Sequence, residues 1–185
     1  MTTTILKQKI VFNKKLIIEE GRLIDEEGKS FKRSRLNRQD AACVLILNTD
    51  SDKYILTRQY RYAIAAKTTE IILEIVAGKV DKGEEPLEAA IRESLEETGY
   101  LVKKKNIKFL TSCFASPGYT SERFYIYFAT VTNADKINKG GGKKNENESI
   151  EIEEMAVNDF DELIKSGEIK DSKTYIAALL CKQKN

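Results

Sequence analysis

The chain has 185 residues, 41% hydrophobic and 32% charged, which suits one compact domain or a domain carrying a small accessory piece and excludes a disordered tail. Lys plus Arg number 31 and Asp plus Glu 29, so the formal charge of +2 predicts neither a nucleic-acid footprint nor a membrane-binding basic surface. Histidine is absent, which excludes Ser-His-Asp and Cys-His nucleophilic sites and every His-ligated metal centre.

Cys43, Cys113 and Cys181 lie far apart and form no CxxC pair, so alone they cannot close a four-ligand zinc site. An odd count also argues against a disulfide framework, and the thiols read as reduced side chains of a cytoplasmic protein. The first residues lack a signal-peptide apolar region, and the longest apolar run, Ala41 to Leu47, is far below the roughly 18 residues of a membrane span. A soluble protein with no membrane partner is expected.

In chain order, residues 9–19 alternate apolar and polar, with Ile10, Phe12, Leu16 and Ile18, and predict a half-buried strand. A turn at Glu26-Glu27-Gly28-Lys29 sends the chain back through 30–38. Lys32, Arg33, Arg35 and Arg38 make that return too polar for a core. It is either a solvated edge strand or a basic face turned to an anionic ligand. Residues 41–47 are continuously apolar and predict a strand buried on both faces. A turn cluster at 48–52 precedes a strand over 53–62. A helix over about 86–98, strands near 107–114 and 122–131, a glycine loop at Gly140-Gly141-Gly142, a strand near 149–155 and helices near 159–166 and 172–182 complete the chain. The pattern is α+β: a β-rich piece, 1–38, precedes a mixed domain, 39–185.

The helix over 86–98 is bounded by Pro86, tolerated in a first turn, and Gly99, suited to a left-handed cap. Leu87, Ala90, Ile91, Ser94, Leu95 and Thr98 form one stripe and predict the core face. On the other side Glu93, Glu96 and Glu97 crowd one patch, where like charges cost a few tenths of a kcal/mol per pair. Glu96 and Glu97 also sit at the end where the helix dipole disfavours anions, and only Arg92 is near enough to compensate. An ordinary solvated acidic face is one explanation. A divalent cation explains the cost better, since hard oxygen ligands converging from one helix are what Mg2+ or Mn2+ binds.

Gly78, Glu84, Arg92, Glu93, Glu96, Glu97 and Gly99 resemble the Nudix box, Gly-x5-Glu-x7-Arg-Glu-U-x-Glu-Glu-x-Gly-U, where U is bulky and aliphatic. Seven fixed residues at fixed spacing arise by chance on the order of 10⁻⁸ per start position. Ser94 and Tyr100 depart from the pattern at its two U positions. The resemblance implies a Nudix α/β/α sandwich with an N-terminal antiparallel β-sheet piece, and hydrolysis of a nucleoside diphosphate linked to another group. It implies Glu93 and Glu97 as metal ligands with the Ala77 carbonyl as a third, Glu96 as a further ligand or water-orienting group, and Arg92 as their support.

Outside the box, Arg58-Gln59-Tyr60-Arg61, Glu74-Ile75-Val76-Ala77-Gly78 and Pro117, with 16 residues between it and Tyr100, are similar to the ADP-ribose and nucleotide-sugar pyrophosphatase branch. The tail is similar to bacterial GDP-mannose pyrophosphatases: Gly140-Gly141-Gly142, then Glu146-Asn147-Glu148-Ser149-Ile150-Glu151, then Ser166-Gly167-Glu168-Ile169-Lys170-Asp171-Ser172-Lys173-Thr174. That likeness implies an acidic loop ligand or base. Counting back from Ile150-Glu151 gives Glu148 and counting forward from the glycines gives Glu146; Glu148 is preferred. Arg33 and Arg61 are implied as diphosphate or base contacts, and Glu122 and Lys173 as lining the sugar-phosphate side. For Arg33 and Lys173, plain solvated side chains are the alternative. The glycines read as a hinge or a flexible turn.

The implied enzyme is a Mg2+-dependent pyrophosphohydrolase, with Mn2+ able to substitute, acting on a small-molecule nucleotide sugar such as GDP-mannose or ADP-ribose. A homodimer exchanging its N-terminal sheet is expected. A Nudix enzyme of another nucleotide class and a non-catalytic nucleotide-sugar-binding module are the alternatives. Near-neutral charge and the absence of Trp weaken an RNA role.

Overall fold

In a computed structural model of the chain, residues 2–142 and 149–182 are described. The chain divides into two compact units, one of Met1–Asp40 with Cys113–Arg123 and one of Ala41–Ser112 with Phe124–Asn185.

In the first unit β1 (Thr3–Asn13), β2 (Ile17–Asp25) and β3 (Ser30–Asn37) form an antiparallel sheet in that order. The single strand expected over 9–19 is instead the corner of a hairpin. Adjacent Lys14 and Lys15 interrupt the alternation, so Leu16 lies in the turn while Phe12 pairs with Ile18 and Asn13 with Ile17. The turn at 26–29 forms as expected: Asp25 Oδ1 accepts the Glu27 and Lys29 N–H groups at 3.1 and 2.8 Å. β3 is pinned by residues 119–121, with the Leu36 N–H on the Tyr119 carbonyl at 2.8 Å and the Ser121 N–H on the Leu36 carbonyl at 3.1 Å. Its basic residues make local pairs. Arg35 donates to the buried Glu19 at 2.6 Å and holds that carboxyl below its usual range, while Arg38 donates to Glu122 at 3.3 Å. Strand β1 is exposed along its whole length.

The second unit is built on β4 (Ala41–Asn48), the strand expected to be buried on both faces, and seven of its eight residues are buried. A strand buried on both sides needs a layer over each. The main sheet runs β10-β5-β4-β9-β8, where β5 is Lys53–Gln59, β8 Ile107–Phe114, β9 Arg123–Val131 and β10 Ile150–Ala156. β4 runs parallel to β9 and antiparallel to its other neighbours. Helix α1 (Pro86–Thr98) covers one face. α2 (Val157–Ser166) and α3 (Ser172–Lys182) cover the other, α3 on β4 and α2 on β5 and β10. Alternate residues Ala42, Val44 and Ile46 join Ala89, Ala90, Tyr127 and Val131 in one core cluster, as the twofold period of a strand requires. This is the expected α/β/α sandwich.

Two short strands precede α1: β6 (Ile72–Glu74), paired with β5, and β7 (Val76–Lys79), paired with β4. Neither is long enough to show a periodicity of its own. The strand expected to reach residue 62 ends at Gln59, leaving Tyr60 and Arg61 ahead of a single 3₁₀ turn.

Candidate active site

Helix α1 begins at Pro86 and ends in a left-handed Gly99, φ 78°, whose N–H reaches the Leu95 carbonyl at 3.0 Å. The predicted stripe is core-facing, with Ala90, Ser94 and Thr98 buried. Ser94 fits where a bulky apolar side chain is usual because its hydroxyl donates back to the Ala90 carbonyl at 2.7 Å.

The carboxylate face is organised by Arg92. Its Nε and Nη2 donate to the two oxygens of Glu84, each at 2.8 Å, and its Nη1 donates to Glu93 at 2.5 Å and Glu96 at 3.1 Å. Nη2 also reaches the Lys79 carbonyl at 3.0 Å. These bonds, the Glu84 pair first, push the guanidinium pKa above its ordinary value. Glu84 ties the loop as well, accepting the Asp81 N–H at 2.9 Å. One arginine thus spans a loop, a strand and two turns of helix.

Gly78 on β7 seats Glu93. A Cβ there would lie 1.8 Å from the Glu93 carboxyl carbon, so only glycine lets the strand and the carboxylate come this close. Ala77, its neighbour, pairs with Cys43 of β4. Glu97 is only 6% exposed, an unusual position for a carboxylate. The dipole problem at the helix end is met by backbone. Gly141 and Gly142 donate their N–H groups to the Glu97 and Glu96 carbonyls at 2.8 and 3.2 Å. A Cβ on Gly140, φ 63°, would stand 2.5 Å from the Glu97 carbonyl oxygen. Gly140 to Gly142 therefore form a fitted cap on α1, where a hinge or flexible turn was expected.

A second ionic cluster lies in the same unit. Arg61 donates from Nε and Nη2 to the two oxygens of Glu74, at 3.0 and 2.5 Å. Lys173 Nζ lies 3.4 Å from Glu74 and 2.8 Å from Asp171. Lys173 is 6% exposed, which removes the solvated-lysine alternative. Burial alone would lower its pKa, yet Asp171 and Glu74 outweigh that and raise it. Arg61 likewise is raised, with burial opposed by the Glu74 bonds and by the charges of Glu97 and Asp171. Asp171 is anchored as the cap of α3, taking the Thr174 N–H at 3.0 Å and hydroxyl at 2.6 Å, and the Thr174 hydroxyl accepts the Ile75 N–H at 2.9 Å.

The second unit therefore joins Arg92 to Glu93 and Glu96, carries Glu97 on the same helix and Ala77 on the strand next to Gly78, and joins Arg61 to Lys173 through Glu74. Arg33 and Glu122 belong to the first unit, where Arg33 lies 4.8 Å over the Phe31 ring and donates to the Lys32 carbonyl, and Glu122 accepts from Arg38. Glu148, and Glu146 with it, lie outside the described residues. Sequence reasoning missed Glu74 and Asp171. The latter carries a readable signal, Asp-x-x-Thr ahead of an apolar run.

Among the described residues no three acidic or cysteine side chains converge into a ready-made metal cage. The donor chemistry nevertheless fits a hard divalent ion: carboxylates of one helix, one of them seated against the Gly78 backbone, in a chain without histidine.

A NUDIX domain model matches residues 37–178, a span that holds both clusters. The chain belongs to the NUDIX domain family. Among its relatives it is 34% identical over 176 residues to the ADP-ribose pyrophosphatase of Bacillus subtilis (strain 168), covering 94% of this chain and 89% of that one. It is 34% identical over 154 residues to the GDP-mannose pyrophosphatase of Escherichia coli (strain K12), covering 82% and 78%. A crystal structure of an ADP compounds hydrolase superposes with a TM-score of 0.78 over 99% of this chain and 94% of the other, at 22% identity, which supports the Nudix fold. Nudix pyrophosphatases work with a divalent metal, in keeping with the oxygen donors gathered on α1. No helix of the described residues is long and apolar enough to cross a membrane.

Proposed function

We propose that this Nudix enzyme is a Mg2+-dependent pyrophosphohydrolase, with Mn2+ able to substitute, that cleaves the diphosphate of nucleoside diphosphate sugars. GDP-mannose and ADP-ribose are the candidate substrates, and a nucleoside monophosphate and a sugar phosphate the products. The observation that carries this reading is the carboxylate face of α1, gripped by Arg92 and seated on Gly78. The relatives named for ADP-ribose and GDP-mannose support the substrate class.

In this reading Glu93, Glu97, the Ala77 carbonyl and Glu148 hold the ion, which when bound polarises a phosphoryl oxygen and lowers the pKa of a bound water. Arg92 keeps Glu93 and Glu96 at fixed positions, and Glu96 orients water. Arg61 binds the diphosphate, where a planar guanidinium suits two phosphate oxygens, and Lys173 lines its sugar-phosphate side, where an ammonium serves as a point charge. Glu122 and Arg33 contact the sugar-phosphate and base sides. Such a reaction needs positioning and electrostatic support more than covalent chemistry, and that is what these residues supply.

Residues 1–38 act as a dimerisation piece beside a catalytic domain of 39–185, and the enzyme is a cytoplasmic homodimer. The exposed apolar side chains of β1, among them Ile5, Leu6, Ile10 and Phe12 at 43–55% exposure, support a partner strand surface. Light scattering on the eluting protein checks this: a monomer mass across the micromolar range removes the dimer.

Incubation with Mg2+ and a panel of nucleotide sugars and nucleoside triphosphates tests the activity. Monophosphate release from a nucleotide sugar is expected, and ¹⁸O water identifies the phosphorus attacked. Release from triphosphates alone would favour another nucleotide class, and binding without release a non-catalytic module.

A further inference from the structure

We propose that Glu74 is a positioning residue, a buried carboxylate that holds Arg61 and Lys173 together as one anion-binding pair. The inference rests on the reading of those two cations as contacts of the substrate's diphosphate and of its sugar-phosphate side. Glu74 is 3% exposed, and both of its oxygens are engaged by Arg61, one of them also by Lys173. A two-point bond to a carboxylate fixes the plane of a guanidinium as well as its position. It occupies two of the five donors of Arg61, while the side chain stays 39% exposed, so donors remain for a second anion.

Among the described residues both side-chain hydrogen bonds of Arg61 end on Glu74, and Arg61 lies beyond the end of β5 in irregular backbone. A long side chain without such a partner keeps its rotamer freedom, which is lost again when substrate binds. Lys173 has the opposite problem. Its charge is buried, and two cations placed side by side repel one another unless an anion lies between them. Glu74 meets both needs from one strand position, three residues before Ala77. Asp171 cannot replace it, because its second oxygen already caps α3 through Thr174. Stability alone is a poor reason to bury this carboxylate, since buried ion pairs add little net stability over apolar packing. Preorganisation of the pair accounts for it.

Steady-state kinetics on ADP-ribose or GDP-mannose, whichever the panel shows to be turned over, test the assignment with Glu74→Gln, Glu74→Asp, Arg61→Ala and Lys173→Ala. The two cation variants are expected to raise KM. Glu74→Gln, which keeps the shape and loses the charge, is expected to raise KM about tenfold while kcat changes less than about threefold. Glu74→Asp, one methylene too short to span both cations, is expected to fall between, and it decides the matter if Glu74→Gln melts below the assay temperature. A purely structural role would lower the active fraction, and so the apparent kcat, with KM unmoved. That result in a folded Glu74 variant, with KM raised in Arg61→Ala and Lys173→Ala, overturns the role of Glu74 alone. Unchanged KM in both cation variants overturns the reading of Arg61 and Lys173 as substrate contacts and this proposal with it.

Discussion

The two ionic clusters of the Nudix unit are assembled by opposite means. The Arg92 cluster is local: Glu84, Glu93 and Glu96 lie within nine residues of it, on one loop and one helix. The Glu74 cluster is drawn from the end of β5, from β6 and from the start of α3, and Glu74 and Lys173 are nearly a hundred residues apart. The first is partly exposed and rich in carboxylates, which suits a cation. The second is more deeply buried and pairs two cations with two carboxylates. Helix geometry and the strand and loop that lead directly into the helix create the one, and packing of the sheet against α3 creates the other.

Substitutions in the local cluster should produce the largest effects. Glu97→Gln is expected to reduce kcat by on the order of 10³-fold while thermal denaturation still shows a folded protein. Near-wild-type turnover would remove Glu97 from the chemistry and break the contrast at its stronger side. Gly78→Ala should come next. Its Cβ would displace the Glu93 carboxyl, and a misplacement near 1 Å costs roughly 10²-fold in rate, read in kcat/KM and in a weaker Mn2+ affinity by calorimetry.

Gly140→Ala sharpens the comparison by touching only the cap of α1. Positive φ and collision with the Glu97 carbonyl should cost about 1–3 kcal/mol in a urea titration. An unchanged midpoint would show that the glycine segment is not fitted to the helix.

Asp135, in neither cluster, serves as the reference and carries the smallest effect. Lys103 and the Thr132 backbone and hydroxyl hold its pKa at about 2, below the ordinary 3.8. A depressed folded value means the contribution is present above pH 3.8 and is lost as pH falls toward 2. Stability measured across that window should fall less steeply in Asp135→Asn.

The spacing from Gly78 to Gly99 made the carboxylate-bearing helix readable, down to its end residues, because a helix imposes contacts three and four residues apart. The both-face burial of 41–47 was equally legible, since an unbroken apolar run admits few other placements. The hairpin at Lys14-Lys15 was not, because two short strands in succession imitate one longer alternation. Glu74 was visible only as a member of a motif, and its partners depend on which distant strands and helices meet.

Local periodicity and spacing by themselves determined a mixed α+β chain, the carboxylate face and its arginine, the last two because their contacts recur within one or two turns of chain, while the sandwich came from the resemblance to the Nudix box. Tertiary structure alone decided that Glu74 would gather Arg61 and Lys173, and that three glycines would close the helix rather than bend. Such contacts depend on where separate elements come to rest, and that is fixed by packing of the core, which no local spacing encodes.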